Sequence, residues 1–414
     1  MPSSRSLALE ALERWRRGAE FADKIVADIF ARSSLGSSDR AFVLELFYGV
    51  LRNLSLLDFW IAKLRSEPVN PGARDILRLG LYQVLLIETA AHAAVFETVE
   101  LAGSGLRSLI NAILRRALRE RDALTKAADN QPRPIRFSTP EFLIEKWSRQ
   151  FDAAEVVKLC QWNNRAAPVY ARINQFKTTV PEFLLRYPGS ALLPKTHNFI
   201  TLRAPDAALR AGDCYIQDPS TALACEMLRP VAGETVLDAC AAPGGKAAYL
   251  AEIMQNQGIL VAADRDEIRL RRLRDNFVRL GITNARTVTC DWSDEKSIQA
   301  ADLGAHFFDK ILLDAPCTNT GVMRRRVDVR WRLRPDDFVR MQRLQLAILR
   351  GLVPLLKPGG SLVYSTCSLE KEENEKVIEA FLEEKRDFCL TKSEKRLPFR
   401  DSSDGAFAAR LERM

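Results

Sequence analysis

Short apolar runs alternate with helical stretches throughout the second half of the chain, and this alternation constrains the fold more than any other feature. The apolar runs are, in chain order, 236–237, 259–263, 287–289, 311–313 and 362–365. Strands that are separated by helices are typical of a doubly wound parallel sheet. The pattern therefore predicts an α/β domain over residues 219–414.

The first part of the chain has a different texture. Apolar residues recur at spacings of three and four within 41–51, 76–87 and 106–118, and breaks fall at 33–38 and 68–72. This period is that of amphipathic helices, and few alternating β-branched residues interrupt it. The sequence therefore predicts an all-α bundle over residues 1–130.

A third unit is predicted between these two. Residues 130–134 are polar and broken by prolines, which indicates a linker or an extended connection. A helical pattern follows at 142–160, and strand candidates follow at 169–174 and 199–202. We expect a small α+β subdomain over residues 138–218.

The net charge of the chain is concentrated in one region. The chain has 414 residues, with 61 Lys and Arg against 53 Asp and Glu, and residues 101–200 alone hold 16 basic and 8 acidic side chains. Trp147, Trp162, Tyr170 and Phe176 are interleaved with this basic surplus. Basic and aromatic side chains together suit a nucleic acid, since the first neutralise phosphates and the second stack on bases. Solvated helix faces would explain the same charge.

Composition also excludes several classes of protein. The sequence has no run of about 18 apolar residues, and its first 30 residues are charged and amphipathic, so we expect neither a membrane helix nor a signal peptide. Eight cysteines without a CxxC pair, and only three histidines, predict neither a metal site nor a disulfide framework. We expect a cytoplasmic protein without a membrane partner, and nothing in the sequence requires more than a monomer.

Small residues and acids follow the predicted strands. The first strand runs into residues 238–246, in which two glycines allow close backbone approach and a helix then begins. Asp264, Asp291 and Asp314 follow the next three strands. Each acid alone could be a helix cap, but ligands of open parallel sheets lie beyond the carboxyl ends of the strands. Together these residues favour a cofactor that carries an adenosine.

Two cysteines follow neighbouring strands. Cys317 comes after the fourth strand and Cys367 after the fifth, so both thiols should face one cleft. A lone cysteine is usually a small buried apolar group, and we expect this of Cys160, Cys214, Cys225 and Cys389. A thiol at a strand end can instead act as a nucleophile where its pKa is lowered.

Arginines are dense after Cys317. Six of them occur within 17 residues, together with Trp331 and Asp328: Arg324, Arg325, Arg326, Arg330, Arg332 and Arg334. Such a segment suits a substrate that is both anionic and aromatic, although a solvated face would also hold these charges.

These motifs resemble a known enzyme family. Residues 238–246, Asp314-Ala315-Pro316-Cys317, and Ser365-Thr366-Cys367-Ser368 with residues 372–375 are similar to the RNA cytosine-5 methyltransferases. The strings 39–42 and 47–52 resemble the NusB-like RNA-binding domain found on the Sun/Fmu (RsmB-type) branch, whose members methylate a cytosine of bacterial 16S ribosomal RNA. The strings 217–220 and 404–407 extend the resemblance over nearly the whole chain.

Two positions depart from the family pattern. Thr318-Asn319-Thr320-Gly321 stands where the family commonly has Ser-Gly-Thr-Gly. Arg326 stands where histidine and proline are common in the family. These departures concern the surroundings of the target base rather than the chemistry.

The resemblance implies a Rossmann-like domain that uses S-adenosylmethionine, and it assigns roles to individual residues. Cys367 would be the nucleophile, Cys317 would assist product release, and Asp314 would hydrogen-bond the cytosine. Asp264 would bind the ribose and Asp291 the adenine side. The cofactor would be held by Cys240, Ala241, Ala242, Pro243, Gly244, Gly245, Lys246, Asp264, Asp291 and Asp314. We further predict RNA contacts for Arg115, Arg116, Arg119, Arg324, Arg325 and Arg330.

Other functions remain open from the sequence. The substrate would be 16S ribosomal RNA or a ribosomal assembly intermediate, but a transfer RNA or another ribosomal cytosine fits the same motifs. A non-enzymatic RNA-binding assembly factor is a further alternative, against which the intact pair Cys317 and Cys367 argues. Protein or small-molecule methylation fits less well, because it has no need for two such cysteines.

Overall fold

The computed structural model describes residues 2–87, 89–305 and 307–414. The chain forms two compact units. The first unit contains residues 1–166 together with 323–332, and the second contains residues 167–322 and 333–414.

The first unit is helical throughout its described residues, which confirms the all-α prediction. Its helices are α1 (Ser4–Arg16), α2 (Ala22–Ala31), α3 (Ser37–Arg52), α4 (Leu54–Leu64), α5 (Pro71–Leu85), α6 (Ala91–Val99), α7 (Ser104–Arg119), α8 (Arg121–Asp129), α9 (Arg133–Arg136), α10 (Glu141–Ser148), α11 (Ala153–Asn164) and, from later in the chain, α18 (Val329–Arg332). Helix α5 is buried on nearly all sides, so it forms the centre of the bundle. Asn70 caps this helix by accepting a hydrogen bond from the N–H of Ala73. Gly80 lets α7 approach α5, because a Cβ there would lie 2.6 Å from a methyl group of Leu114.

The boundary between the units differs from the predicted one. Helices α9, α10 and α11 belong to the helical unit rather than to the subdomain that follows. The N–H of Leu56 donates to Ser138 Oγ at 3.1 Å, and Asn164 Nδ2 donates to the carbonyl oxygen of Phe137 at 2.8 Å. The chain passes through the prolines of residues 130–134 into α9, and α9, α10 and α11 pack with the bundle.

The second unit contains two sheets. Its elements are β1 (Tyr170–Ile173), α12 (Val180–Arg186), β2 (Ala191–Leu192), β3 (Phe199–Thr201), α13 (Asp206–Ala211), β4 (Cys214–Ile216), α14 (Ala222–Leu228), β5 (Thr235–Asp238), α15 (Gly245–Ile253), β6 (Ile259–Asp264), α16 (Glu267–Leu280), β7 (Ala285–Thr289), α17 (Glu295–Ala300), β8 (Phe308–Asp314), α19 (Asp337–Leu352), β9 (Leu356–Thr366), α20 (Glu375–Glu384), β10 (Phe388–Arg396), α21 (Pro398–Asp401) and β11 (Ala406–Arg413). The smaller sheet is antiparallel, with the order β2-β3-β1-β4.

The larger sheet has the order β10-β11-β9-β8-β5-β6-β7. Strands β9, β8, β5, β6 and β7 are parallel, which confirms the Rossmann-like prediction. Strand β11 is antiparallel to both β9 and β10, so the sheet is mixed rather than wholly parallel. The sequence did not indicate β10, because this edge strand carries exposed polar side chains over much of its length.

A buried ion pair joins the smaller sheet of the second unit to helix α15. Arg172 of β1 pairs with Glu252 of α15, and their side chains are only 1% and 3% exposed. Arg172 also donates to Gln217 Oε1 at 3.0 Å and lies 4.5 Å from the ring centre of Tyr249. Burial raises the pKa of Glu252, and the charge of Arg172 opposes that rise.

We expect Glu252→Gln to lower the free energy of unfolding by about 3–5 kcal/mol, because it leaves the buried charge of Arg172 without its counterion. Denaturant unfolding at neutral pH measures this difference. The double variant Arg172→Met/Glu252→Leu is the control, and it should recover part of the loss. A single variant within about 0.5 kcal/mol of the wild type would contradict the prediction.

None of the helices in the described residues is long and apolar enough to span a bilayer.

Candidate active site

The loop after β5 turns sharply into α15. Gly244 stands just before this helix with φ of 108°, a left-handed conformation that favours glycine. A Cβ on Gly245 would lie 2.7 Å from the ring of Tyr215, so a side chain there would displace the loop or the tyrosine. The two glycines hold residues 240–246 at the carboxyl end of the sheet.

Asp264 ends β6 and is tied to this loop. Its carboxylate accepts hydrogen bonds from the N–H of Ala242 at 3.3 Å and from the N–H of Asp266 at 3.0 Å. Asp264 is only 3% exposed, and Arg269 lies 3.3 Å from it as a counterion. The structure thus brings the acid and the glycine loop together, as the sequence predicted.

Asp291, after β7, is engaged in its own turn. Its Oδ1 atom accepts hydrogen bonds from the N–H and the hydroxyl of Ser293, at 2.9 and 2.6 Å. These hydrogen bonds lower the pKa of Asp291. Asp291 Oδ1 therefore stabilises the turn after β7. The role of Asp291 on the adenine side of the cofactor stays a prediction.

Lys246 and Asp314 form an ion pair at the centre of the site. Lys246 Nζ lies 2.7 Å from Asp314 Oδ2, and Ser365 Oγ donates to Asp314 Oδ1 at 3.3 Å. Burial lowers the pKa of Lys246, but the charge of Asp314 and its hydrogen bond raise it by more, so the pKa lies above its ordinary value. Lys246 thus remains a cation that orients Asp314.

Asp238 is a buried acid without a good partner. Burial raises its pKa to about 8, the charge of Asp314 adds to the rise, and Lys246 and the N–H of Cys240 oppose it. Neither of its oxygens accepts a well-aligned hydrogen bond from the described residues. An unsatisfied buried carboxyl group suits a ligand that donates hydrogen bonds or carries positive charge. The ammonium and sulfonium groups of S-adenosylmethionine have this character, so the residues present fit that cofactor.

The raised pKa of Asp238 makes stability depend on pH. The folded protein keeps the Asp238 proton at pH values above 3.8, where an unfolded aspartate loses it. The stabilisation from this bound proton is therefore present at low pH, and the free energy of unfolding falls as pH rises towards about 8. Asparagine does not titrate, so we expect the stability advantage of Asp238→Asn over the wild type to grow between about pH 5 and pH 8. Denaturant unfolding of both proteins across this range measures the difference, and a constant difference would contradict the prediction.

The two predicted thiols meet at the ends of β8 and β9. The Sγ atoms of Cys317 and Cys367 are 3.3 Å apart, and Cys367 Sγ donates to Asn319 Oδ1 at 3.2 Å. Both side chains are half-buried. The hydrogen bond to Cys367 and burial raise the pKa of Cys317 well above its ordinary value. Cys317 is therefore held as a thiol next to the Cys367 sulfur.

Two glycines that the sequence did not single out allow the cysteine loops to approach. The N–H of Gly321 donates to the carbonyl oxygen of Cys367 at 2.9 Å, and the N–H of Gly405 donates to the carbonyl oxygen of Gly321 at 2.9 Å. A Cβ on Gly321 would lie 2.6 Å from the Cys367 carbonyl oxygen. Gly405 stands in the string 404–407, which carried the family resemblance, and Gly321 keeps the last glycine of the family's Ser-Gly-Thr-Gly, so the resemblance was the available signal.

The prediction that Arg324 and Arg330 face RNA is wrong, because both side chains are buried in the helical unit. Arg330 is 1% exposed, and it donates to Asn164 Oδ1 at 2.6 Å and to the carbonyl oxygen of Asn163 at 2.8 Å. Burial lowers its pKa to about 10. Arg324 is 4% exposed and lies 3.9 Å from the ring centre of Trp162.

The remaining predicted arginines differ in exposure. Arg325 is half-buried, whereas Arg115, Arg116 and Arg119 are exposed on α7. Arg115 donates to Asn111 Oδ1 at 3.0 Å, and Arg116 pairs with Glu120 at 2.8 Å. These contacts leave the α7 arginines at the surface, where a phosphate can reach them.

Three family models match the chain. Residues 225–412 match the 16S rRNA methyltransferase RsmB/F model, and residues 2–119 match the NusB family. Residues 139–187 match the ferredoxin-like domain of RsmF/B-like methyltransferases.

Individual relatives match over most of the chain. The probable ribosomal RNA small subunit methyltransferase B of Bacillus subtilis is 34% identical, over 96% of this chain and 92% of that protein. The ribosomal RNA small subunit methyltransferase B of Vibrio cholerae is 35% identical, over 92% of each chain. The crystal structure of a methyltransferase homologue from Pyrococcus horikoshii superposes with a TM-score of 0.59 at 30% identity, covering 68% of this chain and 98% of that one. The chain therefore belongs to the ribosomal RNA small subunit methyltransferase B family, whose cofactor is S-adenosylmethionine.

Proposed function

We propose that the protein transfers a methyl group to carbon 5 of a cytosine in 16S ribosomal RNA through a covalent adduct with Cys367. The observation that carries this proposal is the pair of thiols 3.3 Å apart, Cys317 and Cys367, beside the Lys246 and Asp314 ion pair. A methyl transfer to nitrogen or to a ribose oxygen has no need for two thiols in this arrangement.

Covalent catalysis answers a chemical difficulty. Carbon 5 of cytosine is a poor nucleophile, because the ring is aromatic and this position is not ionised. Addition of the Cys367 thiolate to carbon 6 forms a carbon–sulfur bond, breaks the aromaticity and makes carbon 5 enamine-like. S-adenosylmethionine, when bound, supplies an electrophilic methyl group. A solvent water molecule then takes the proton from carbon 5, and the electron pair of that C–H bond restores the double bond and expels Cys367 as a thiolate.

Cys317 has a role in the release step. Its S–H lies within hydrogen-bond distance of the Cys367 sulfur, and its raised pKa keeps the proton on Cys317. A thiol that donates to the departing sulfur stabilises the negative charge that develops there. Without this donor the adduct should form but break down slowly.

Asp314 supports the ring while the adduct forms. Its carboxylate accepts hydrogen bonds, so it can hold the exocyclic amine or a protonated ring nitrogen 3 of the cytosine. Lys246 and Ser365 fix its two oxygens at 2.7 and 3.3 Å, which limits its rotation. The loop 240–246, Asp238 and Asp264 would hold the cofactor at the neighbouring strand ends.

The RNA must present the cytosine outside its stack. Extrusion of a base costs a few kcal/mol and is cheapest in a loop or in partly assembled RNA. The relatives are named for the small ribosomal subunit, and this favours 16S ribosomal RNA over a transfer RNA. The exposed arginines of α7 supply cations for the phosphate backbone.

An RNA that carries 5-fluorocytosine tests the reaction. Fluorine at carbon 5 cannot leave as a proton does, so the adduct should persist after methyl transfer and survive denaturing electrophoresis. The complex should require S-adenosylmethionine, and digestion should locate the RNA on Cys367. The proposal would be overturned by a methylated product that bears its new methyl group on nitrogen 4 or on ribose.

A second experiment concerns RNA affinity. We expect the triple variant Arg115→Gln/Arg116→Gln/Arg119→Gln to weaken binding and to reduce the slope of log affinity against log salt by about 2, because each arginine releases about 0.7 counterions from single-stranded RNA. Binding of a 16S fragment at several salt concentrations measures the slope. Replacement of Arg265, Arg271 and Arg272, which are exposed on the second unit, is a control of equal charge. An unchanged slope in the α7 variant would place the RNA surface elsewhere.

A further inference from the structure

A short segment after β9 carries a buried acid that the mechanism above does not use. Residues Lys371–Glu373 form a 3-10 helix. Glu373, its last residue, and Asn374, which follows it, are both fully buried. Glu373 and Asn374 belong to the string 372–375, which resembled the family without a stated role.

The Glu373 carboxylate accepts hydrogen bonds from both cysteine loops. The N–H of Thr318 donates to it at 2.8 Å, and the hydroxyl of Thr318 donates as well. The hydroxyl of Ser368 donates at 2.7 Å, and Gln345 Nε2 donates at 3.1 Å. Thr318 directly follows Cys317, and Ser368 directly follows Cys367. One carboxylate therefore connects the residues next to the two thiols.

Asn374 fixes the Cys367 loop from the same side. Its Oδ1 atom accepts a hydrogen bond from Thr366 Oγ1 at 2.6 Å, and its Nδ2 atom donates to the carbonyl oxygen of Ser368 at 2.9 Å. Asn374 thus contacts the residues on both sides of Cys367. With Glu373 it holds this loop against the rigid end of β9.

We propose that Glu373 is a positioning residue that sets the spacing of the Cys317 and Cys367 sulfur atoms. Its effect on turnover rests on the function proposed above, whereas its effect on the thiol spacing does not. The side chain touches neither sulfur by a hydrogen bond, and it acts through Thr318 and Ser368.

The site requires a carboxylate rather than an amide. All the hydrogen bonds to Glu373 are donated by its partners, and a carboxylate has only acceptors to offer. Glutamine has nearly the same shape, but its NH₂ group would face a donor on Thr318, Ser368 or Gln345. Burial raises the pKa of Glu373, and the hydrogen bonds from Ser368 and Thr318 oppose that rise. Its negative charge also contributes to the raised pKa of Cys317.

A trivalent arsenical measures the thiol spacing directly. Phenylarsine oxide condenses with two thiols to form two As–S bonds and one water molecule, and it needs neither RNA nor cofactor. We expect tight binding to the wild type and binding weakened by about 100-fold in Glu373→Gln, since misplacement of paired groups by about 1 Å costs about this much. Cys317→Ala and Cys367→Ala define the affinity of a site with a single thiol.

Kinetics give the second measurement. In Glu373→Gln we expect kcat to fall about 100-fold while KM for S-adenosylmethionine stays within about twofold, because the hydrogen bonds to the Glu373 carboxylate come from Thr318, Gln345 and Ser368 and not from the loop 240–246. Glu373→Asp should recover part of kcat, since it restores the acceptors at a shorter reach. Glu375→Gln is the matched control, because Glu375 faces Lys395 at 3.5 Å near the surface.

The outcomes separate this proposal from the proposed function. A folded Glu373→Gln protein that binds the arsenical as the wild type does would overturn the positioning role, whether or not the protein methylates cytosine. A second outcome is weakened arsenical binding in Glu373→Gln together with a wild-type protein that forms no adduct on fluorinated RNA. This outcome would support the positioning role and reject the proposed function. If Glu373→Gln does not fold, the variants Thr318→Val and Ser368→Ala each remove one donor, and unchanged arsenical affinity in both would overturn the proposal.

Discussion

Cys367→Ala is expected to abolish methylation, whereas Cys317→Ala is expected to accumulate a protein–RNA adduct. Removal of a covalent nucleophile should lower the rate by about 10⁴-fold or more, because no neighbouring group can replace the carbon–sulfur bond. Removal of Cys317 leaves the nucleophile in place and takes away only the donor at 3.3 Å from its sulfur. The two substitutions should therefore stop the reaction at different points.

Denaturing electrophoresis with labelled 16S RNA distinguishes the two variants. Cys317→Ala should give a band of reduced mobility that depends on S-adenosylmethionine, and Cys367→Ala should give none. Cys389→Ala is a suitable control, because this half-buried cysteine lies on β10, away from the paired cysteines in the sheet order. Methylation that persists in Cys367→Ala would reverse the assignment of the nucleophile.

The meeting of the two cysteines could be predicted from local sequence alone. Cys367 directly follows β9, and Cys317 comes three residues after the end of β8. These two parallel strands are neighbours, and the carboxyl ends of parallel strands share one edge of a sheet. The same reasoning brought Asp264 to the loop 240–246. No contact between distant residues had to be known, because each of these residues is placed at the edge of the sheet by its position just after its own strand.

Residues that act through distant partners could not be found in this way. Glu373 is one of several acids in a polar string, and nothing in its neighbours indicates burial. Its role depends on Thr318, 55 residues earlier, and on Gln345, 28 residues earlier. Local periodicity carries no signal for such contacts, so only the family resemblance marked this segment.

The arginines after Cys317 show a different failure, in which local sequence predicted a surface that the fold partly buries. Six basic residues in a short segment indicate a charged surface, and this expectation treats them alike. The fold separates them, because Val327 enters the core of the helical unit and draws its neighbours inward. Arg330 is then buried against carbonyl oxygens, while Arg326 stays exposed. Burial of this kind depends on tertiary packing and cannot be read from charge.

Arg330→Met is therefore expected to act on stability rather than on RNA binding. The variant leaves Asn164 Oδ1 and the carbonyl oxygens of Ser138 and Asn163 without their donor, at 2.6, 3.2 and 2.8 Å in the wild type. Each unsatisfied buried acceptor costs about 1–3 kcal/mol. Because the surrounding structure relaxes in part, we expect the free energy of unfolding to fall by about 3 kcal/mol in total.

Arg326→Gln is the matched control for this prediction, because Arg326 lies four residues earlier and is exposed. Thermal or denaturant unfolding should be affected in Arg330→Met and nearly unchanged in Arg326→Gln. The salt dependence of RNA affinity, measured below the unfolding transition, should be the same for Arg330→Met and the wild type, because a buried guanidinium releases no counterions from RNA. A reduced salt slope with unchanged stability would instead mean that Arg330 reaches the RNA and that its side chain does not stay buried in the complex.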